Sequence, residues 1–535
     1  MNIATRILVP QSASALLLAL LAVFAGLVNA GQRNQHTHDA RADSTDIVET
    51  VWVSMRAKVP EPAEMGEAMG FGIVLVDESL PMNRKAIAWD EPNVDYGIGI
   101  GFDVHNPQPT DLEPDENGRI MGWFDSMGNW YDRPQREVSV HAYGRERINT
   151  LSSVEFRTGQ WVDVMVQLRY ELGGAHVVVM IDGSAVIDQM IWDVEPMSMN
   201  VIGGVVGDQI QMTQPKIVHE VQLDEQLPQP VRVQVFDEAL LTNAAWLKSE
   251  IDFSEVPEQV GRVIATLTLG EPEVGYDHWD KKGTIGLRLP STVDEEGNEI
   301  KGERFEVFRF ITPFRKGWTW HMDVTDLLPL FKDLKEFDAH IGTYMKGWLV
   351  SFDLDFYPGT PEREPISVVN LWNGNADIGD TDKPVEEFYV DREIQIPDGA
   401  THARVRATVT GHGMLPNSKN AGEFMPIWRT MTIRSGESEG DVLGGDSIMM
   451  SERNHLWKTD VYLNPCRPQG GTWKFDRAGW SPGDKVEPWI VDVQPEFVFG
   501  DVLTIEYELD EYINEGKGQT WAPHHWTDAV VVFYK

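Results

Sequence analysis

Asn464-Pro465-Cys466-Arg467-Pro468-Gln469-Gly470-Gly471-Thr472-Trp473-Lys474-Phe475-Asp476-Arg477-Ala478-Gly479-Trp480-Ser481-Pro482-Gly483-Asp484 is the stretch on which the reading of this chain turns. It sets two tryptophans and an Asp-Arg-Ala-Gly-Trp run among glycines and prolines. Gly and Pro fix a backbone path that other residues resist. Trp gives a rigid flat face and Arg a forked donor, a combination suited to sugars, carboxylates or a neighbouring domain. A tight turn pinned by buried tryptophan is the plainer reading of the same residues. Cys466 is the one cysteine of the chain. No intramolecular disulfide can form, so stability rests on burial and sheet pairing.

Outward from this stretch the chain alternates apolar and polar residues with period two, as half-buried strands do. His402-Ala403-Arg404-Val405-Arg406-Ala407-Thr408-Val409 leads to Thr410-Gly411-His412-Gly413, and Leu503-Thr504-Ile505-Glu506-Tyr507-Glu508-Leu509 follows the stretch. Residues 262–269, 284–289, 305–310 and 350–356 repeat the pattern further back. Nearer the N-terminus, 97–104, 137–142 and 161–168 repeat it again. Gly173-Gly174 separates two apolar runs, the second ending at Asp182-Gly183, which predicts a hairpin and then a turn. The fold class predicted is all-β: three consecutive antiparallel jelly-roll or sandwich domains at 46–226, 231–365 and 366–535. The polar run Leu227-Pro228-Gln229-Pro230 is the expected linker between the first two.

Composition bounds the partners. With 45 Lys+Arg against 84 Asp+Glu, a net charge of −39 argues against nucleic acid and anionic lipid. A hydrophobic content of 42% is ample for several cores. Residues 1–30 carry Arg6, an apolar run over 13–28 and Val28-Asn29-Ala30, the pattern of a signal peptide cleaved near Ala30. A polar leader over 31–45 follows, and no later run is long and apolar enough to span a bilayer. The expectation is a secreted or periplasmic protein.

Several runs extend the reading beyond pattern. Gln-Gly-Gly-Thr-Trp followed by Asp-Arg-Ala-Gly-Trp-x-Pro-Gly resembles the C-terminal domain of the peptide-N-glycosidase F family. Tyr276-Asp277-His278-Trp279-Asp280, the pair Arg309-Phe310-Ile311-Thr312-Pro313-Phe314 and Met322-Asp323-Val324-Thr325-Asp326, and 352–361 resemble its N-terminal domain. The resemblance covers about 231–535. It implies hydrolysis of the amide joining N-acetylglucosamine to asparagine in N-glycosylated proteins, without a catalytic cofactor. It also implies Asp280 and Glu423 as the catalytic pair across the interface of the two domains. Trp279, Tyr344, His412, Arg477 and Trp480 would line the same cleft. A carboxylate beside Trp279 would be partly desolvated and raised toward use as a base.

The chain departs from that family in several places: His412 stands at a tryptophan position, and Gly422 and Ser481 stand where cysteines pair. Gly342 stands where a third acidic residue is expected, Tyr344 where a tryptophan is, and Lys281 where an arginine follows the aspartate. The last change keeps the charge but loses the fork. The first domain resembles concanavalin-like lectins in Gly-Phe-Asp-Val-His-Asn and in its strand–Gly-Gly–strand hairpin. Legume-type members hold calcium on such a loop, which implies Asp103, Asn106 and Asp111 as oxygen ligands. A solvated acidic loop is the alternative there. Two further readings of the whole remain open: a non-catalytic glycan- or glycopeptide-binding protein, and copper-dependent monooxygenase chemistry on similar jelly rolls. The second would need clustered His, and His455 with His524-His525 lack a His-x-His pattern.

Overall fold

The structure is a computed structural model. It describes residues 48–535, leaving out 62–68, 77–86, 105–136, 196–199, 222–227, 414–421, 424–426, 437–439, 450–477, 494–500, 513–522 and a few shorter breaks. Among the described residues the regular elements are strands apart from two short 3-10 turns, and the strands pair antiparallel. No helix there is long and apolar enough to cross a membrane.

Three pairs of sheets follow one another along the chain. In the first, Val48–Lys58, Trp161–Glu171, Gly174–Ile181 and Ser184–Trp192 form one sheet, joined by Gln211–Met212 and Lys216–Val221. Its partner orders Arg145–Leu151, Glu137–Ala142, Ile98–Asp103, Gly70–Val76 and Asn200–Val206. Alternate residues of Trp161–Glu171 are buried, as the period-two pattern requires. Its turn into Gly174–Ile181 uses Gly173 at φ +81°, and the next turn uses Asp182 and Gly183, both at positive φ. Both turns stand where the sequence predicts them.

In the second pair, one sheet runs Val231–Thr242, Gly347–Pro358, Val260–Gly270, Trp318–Asp323. The other runs Trp246–Asp252, Leu334–Ile341, Lys282–Arg288, Arg304–Ile311. The third pair sets Pro365–Asp377, His524–Tyr534, His402–His412 and Trp489–Asp492 against Arg392–Gln395, Val502–Leu509, Trp428–Ser435 and Val442–Met449.

One strand serves two cores. In His524–Tyr534, Ala529, Val531 and Phe533 enter the third core, while Val530, Val532 and Tyr534 enter the second. Burial on both faces explains why this strand reads as an unbroken apolar run. It also welds the second and third pairs into one body.

Candidate active site

The joint between the second and third sheet pairs is built by register. Across one outer face, Trp246 pairs with His340, His340 with Thr284 and Thr284 with Arg309. The next row on that face pairs Lys282 with Ile311, and Gly342 N–H donates to Lys282 O at 3.4 Å. Arg309 in the first row is fully buried and ion-paired with Glu306 at 2.7 Å. It crosses to the third pair, donating to Trp526 O at 2.7 Å and to Thr408 O and Thr410 Oγ1 at 3.2 Å each. A polar sheet face is thus laid on a polar sheet face, with the buried charge paired and bonded as burial demands.

Backbone closes the joint as well. Arg304–Ile311 is an edge strand, and the segment after Trp480 pairs with it. Ile311 N–H donates to Asp484 O at 2.8 Å, and Val486 N–H to Arg309 O at 2.9 Å. Trp480 packs against Ile311 and Val486 in a small cluster, and its indole donates to Gly411 O at 2.7 Å. The decisive stretch of the sequence therefore ends as a strap between two sandwiches. Its earlier residues, with Arg477 and Cys466 among them, lie outside the described residues, as do Asn106, Asp111 and His455.

At the open end of this joint the loop bearing Asp280 is held from both sides. Asp277 is fully buried and accepts Trp279 N–H at 3.0 Å and the Thr343 hydroxyl. Thr312, also fully buried, accepts Lys281 N–H at 2.8 Å and donates to Trp279 O at 2.9 Å. The peptide units on both sides of Asp280 are fixed. Trp279 and Tyr344 stand exposed at 54% and 70%, and Lys281 Nζ lies 5.8 Å from the Tyr344 ring centre.

In the third pair, Glu423 stands on a loop bonded to the chain just past His402–His412. Its N–H donates to Gly413 O at 2.8 Å and its O accepts Ala478 N–H at 2.9 Å. His412 next door bonds Thr410 Oγ1 at 2.8 Å and stacks on Trp480 at 5.4 Å. Burial, then Lys282 and the neighbouring His524, hold His412 well below its ordinary pKa. It is a neutral, hydrogen-bonded wall residue.

Asp280, Trp279, Lys281, Tyr344 and Gly342 thus sit on three strand ends of the second pair. Glu423, His412 and Trp480 stand on the third. No atom lies within 4 Å of where a Cβ on Gly342 would be. Asp338, near it in sequence, is fully buried and committed to Arg304 at 2.7 Å and Arg288 at 3.2 Å. Asp103 lies at the end of its strand, buried opposite Glu137. Among the described residues no group of three metal-binding side chains occurs.

Sequence reasoning missed Lys282. Its Nζ lies 3.1 Å from the Trp526 ring centre. Burial, reinforced by Arg309 and Arg304 against the opposing Glu306, pushes its ammonium down to about 6. Its charge depresses both His340 on its own sheet and His412 on the facing one. Lys282 therefore lies between the two walls. Burial and Glu306 push the nearby Asp528 up.

Residues 382–521 match the family model described as peptide-N-glycosidase F, C terminal. The peptide-N(4)-(N-acetyl-β-D-glucosaminyl)asparagine amidase F of Elizabethkingia miricola is 27% identical over 262 residues, which are 46% of this chain and 66% of that protein. The chain thus spans just under two thirds of that relative. The solved structure of PNGase F, a glycosylasparaginase from Flavobacterium meningosepticum, is 21% identical over 57% of this chain and 96% of its own, with a TM-score of 0.45. The structure of PNGF-II is 12% identical over 90% of this chain and 98% of its own, with a TM-score of 0.43.

Proposed function

The chain belongs to the peptide-N-glycosidase F family, and from that premise we propose that it is a hydrolase of the amide between N-acetylglucosamine and asparagine in N-glycosylated proteins. What supports the reading is the coupling of the two walls at Lys282: it follows Asp280 by two residues and acts on His412 of the facing wall, whose neighbour Gly413 accepts the N–H of Glu423. In this reading Asp280 takes a proton from water as its oxygen bonds to the amide carbon. The carbon–nitrogen bond then breaks, leaving aspartate in the peptide. The departing nitrogen takes a proton and leaves as a glycosylamine. Glu423 holds the water or the sugar opposite Asp280, and Trp279 and Tyr344 present aromatic faces to the sugar.

We assign the proton for the leaving nitrogen to Lys282. An ammonium brought down to about 6 gives up a proton near neutrality and regains it from solvent. Trp526 beneath it favours the charged form and keeps the amine protonated part of the time. The test is mass spectrometry of a defined N-glycopeptide after incubation. Asn converted to Asp, with the glycan released whole, is the expected product. Glycopeptide that binds and is recovered unchanged would instead favour the non-catalytic binding reading, which the exposed aromatics at the mouth also suit.

A further inference from the structure

A second cavity lies away from this site, where all three sheet pairs meet, with a volume of about 870 Å³. One wall is Ser184–Trp192, an edge strand of its sheet in the first pair, which contributes Gln189 and Trp192. The second pair contributes Arg262 and Asp323, and the third Arg404 and Tyr534. Its size suits a ligand of several rings.

The lining is chemically distinctive for this chain. Acidic residues outnumber basic ones by 84 to 45 overall, yet the cavity is lined by six basic and five acidic side chains. These charges are largely spent on one another. Arg262 meets Asp323 at 3.5 Å and Glu171 at 3.2 Å. Arg404 meets Asp492 at 2.8 Å and Asp326 at 3.4 Å, and Tyr534 donates to Asp326 at 2.7 Å. A guanidinium has five N–H donors, and the bonds of Arg404 among the described residues take three.

What remains is an array of oriented donors and acceptors with almost no net charge. A polyanion finds no surplus of cations there, and an apolar ligand finds too many polar groups to strip of water. A ring with hydroxyls on its edge and C–H on its face matches both halves of the lining. Trp192 supplies the flat surface, held in place by Arg262 at 5.5 Å from its ring centre. We propose that this cavity is a binding site for a neutral oligosaccharide, with Trp192 as its stacking platform and the fixed Arg–Asp pairs as its hydrogen-bonding wall.

The full chain is titrated with neutral pentasaccharides of mannose, glucose and N-acetylglucosamine, followed by calorimetry and tryptophan fluorescence. At least one should bind, and Trp192→Ala should raise its Kd by tenfold or more. Gln189 is exposed, so Gln189→Ala tests the same wall without disturbing packing and should weaken the same sugar. Trp279→Ala and Asp280→Asn, at the other site, should leave this binding intact. Three results overturn the proposal: no binding by any neutral probe, binding lost in Trp279→Ala but kept in both wall variants, or tighter binding of a matched acidic oligosaccharide. None depends on whether the chain hydrolyses a glycopeptide, so the two readings fail separately.

Discussion

The chain contains two joints between sheet pairs, and they are made differently. The first pair meets the second at a hairpin tip. Arg262 of the second reaches Glu171 and Leu172 O at 3.2 and 3.0 Å, and Gly173 and Gly261 let the backbones approach. A Cβ on Gly261 would come within 2.8 Å of Leu172 Cδ1. That contact is narrow, and Arg262 is partly solvated. The second pair meets the third through whole sheet faces, a shared strand and a backbone strap, with Arg309 and Glu306 sealed between them. The lesson is that the second joint buries charged groups, Arg309, Glu306 and Lys282, more completely than the first, where Arg262 and Glu171 stay partly solvated. Shifted titrations gather where charges are desolvated and precisely held, which is where acid–base chemistry can be run.

Breaking the second joint should therefore cost most. Arg309→Ala leaves Glu306 buried without its cation, and such losses typically cost about 3–5 kcal/mol. Chemical denaturation should show that loss across the second and third pairs together. An unchanged midpoint would mean that the buried pair does not hold the joint.

Lys282 sharpens the comparison through pH. Its folded-state pKa lies below the unfolded one, so the unfolded chain binds the extra proton between about 6 and the ordinary lysine value. Stability from this group accordingly rises with pH across that window and is lost as pH falls toward 6. Lys282→Met should be more stable than the parent at pH 7 by about 1 kcal/mol or more, consistent with removal of a buried amine. The advantage should shrink by pH 10, and turnover should fall at both. Equal stabilities at pH 7 would place the amine in solvent.

At the first joint the effect should be small. Arg262→Ala removes a partly exposed pair, worth about 1 kcal/mol at most. It should loosen only the first sheet pair, seen as faster amide exchange around 171–174 with the second joint untouched. Exchange spreading into 304–311 would show that the two joints are not independent.

How much of this was legible in the sequence follows from the same contrast. Strands whose polar face meets water declare themselves by alternation, as 161–168 and 402–409 do. The polar residues of the second joint declare nothing, because Lys282, Thr284 and Arg309, or Thr408, Thr410 and His412, read as a solvated face. Only the pairing of two such faces buries them. Asp280 and Glu423 could be named from the motifs around them, whereas Lys282 could not, since its setting comes from Arg309 and Trp526, far along the chain. The unbroken apolar run at 529–534 is a sequence sign that its strand is covered on both sides.

The central claim is that the open end of the second joint is a catalytic centre that uses Asp280 as its base. Its most direct measurement is release of glycan from a small N-glycopeptide by the parent and by Asp280→Asn, with melting temperatures recorded in parallel. The account predicts turnover in the parent and a loss of at least about a hundredfold in the variant, the scale of a positioned proton acceptor, with the melting temperature nearly unchanged. A folded Asp280→Asn variant that turns over as fast as the parent would contradict it.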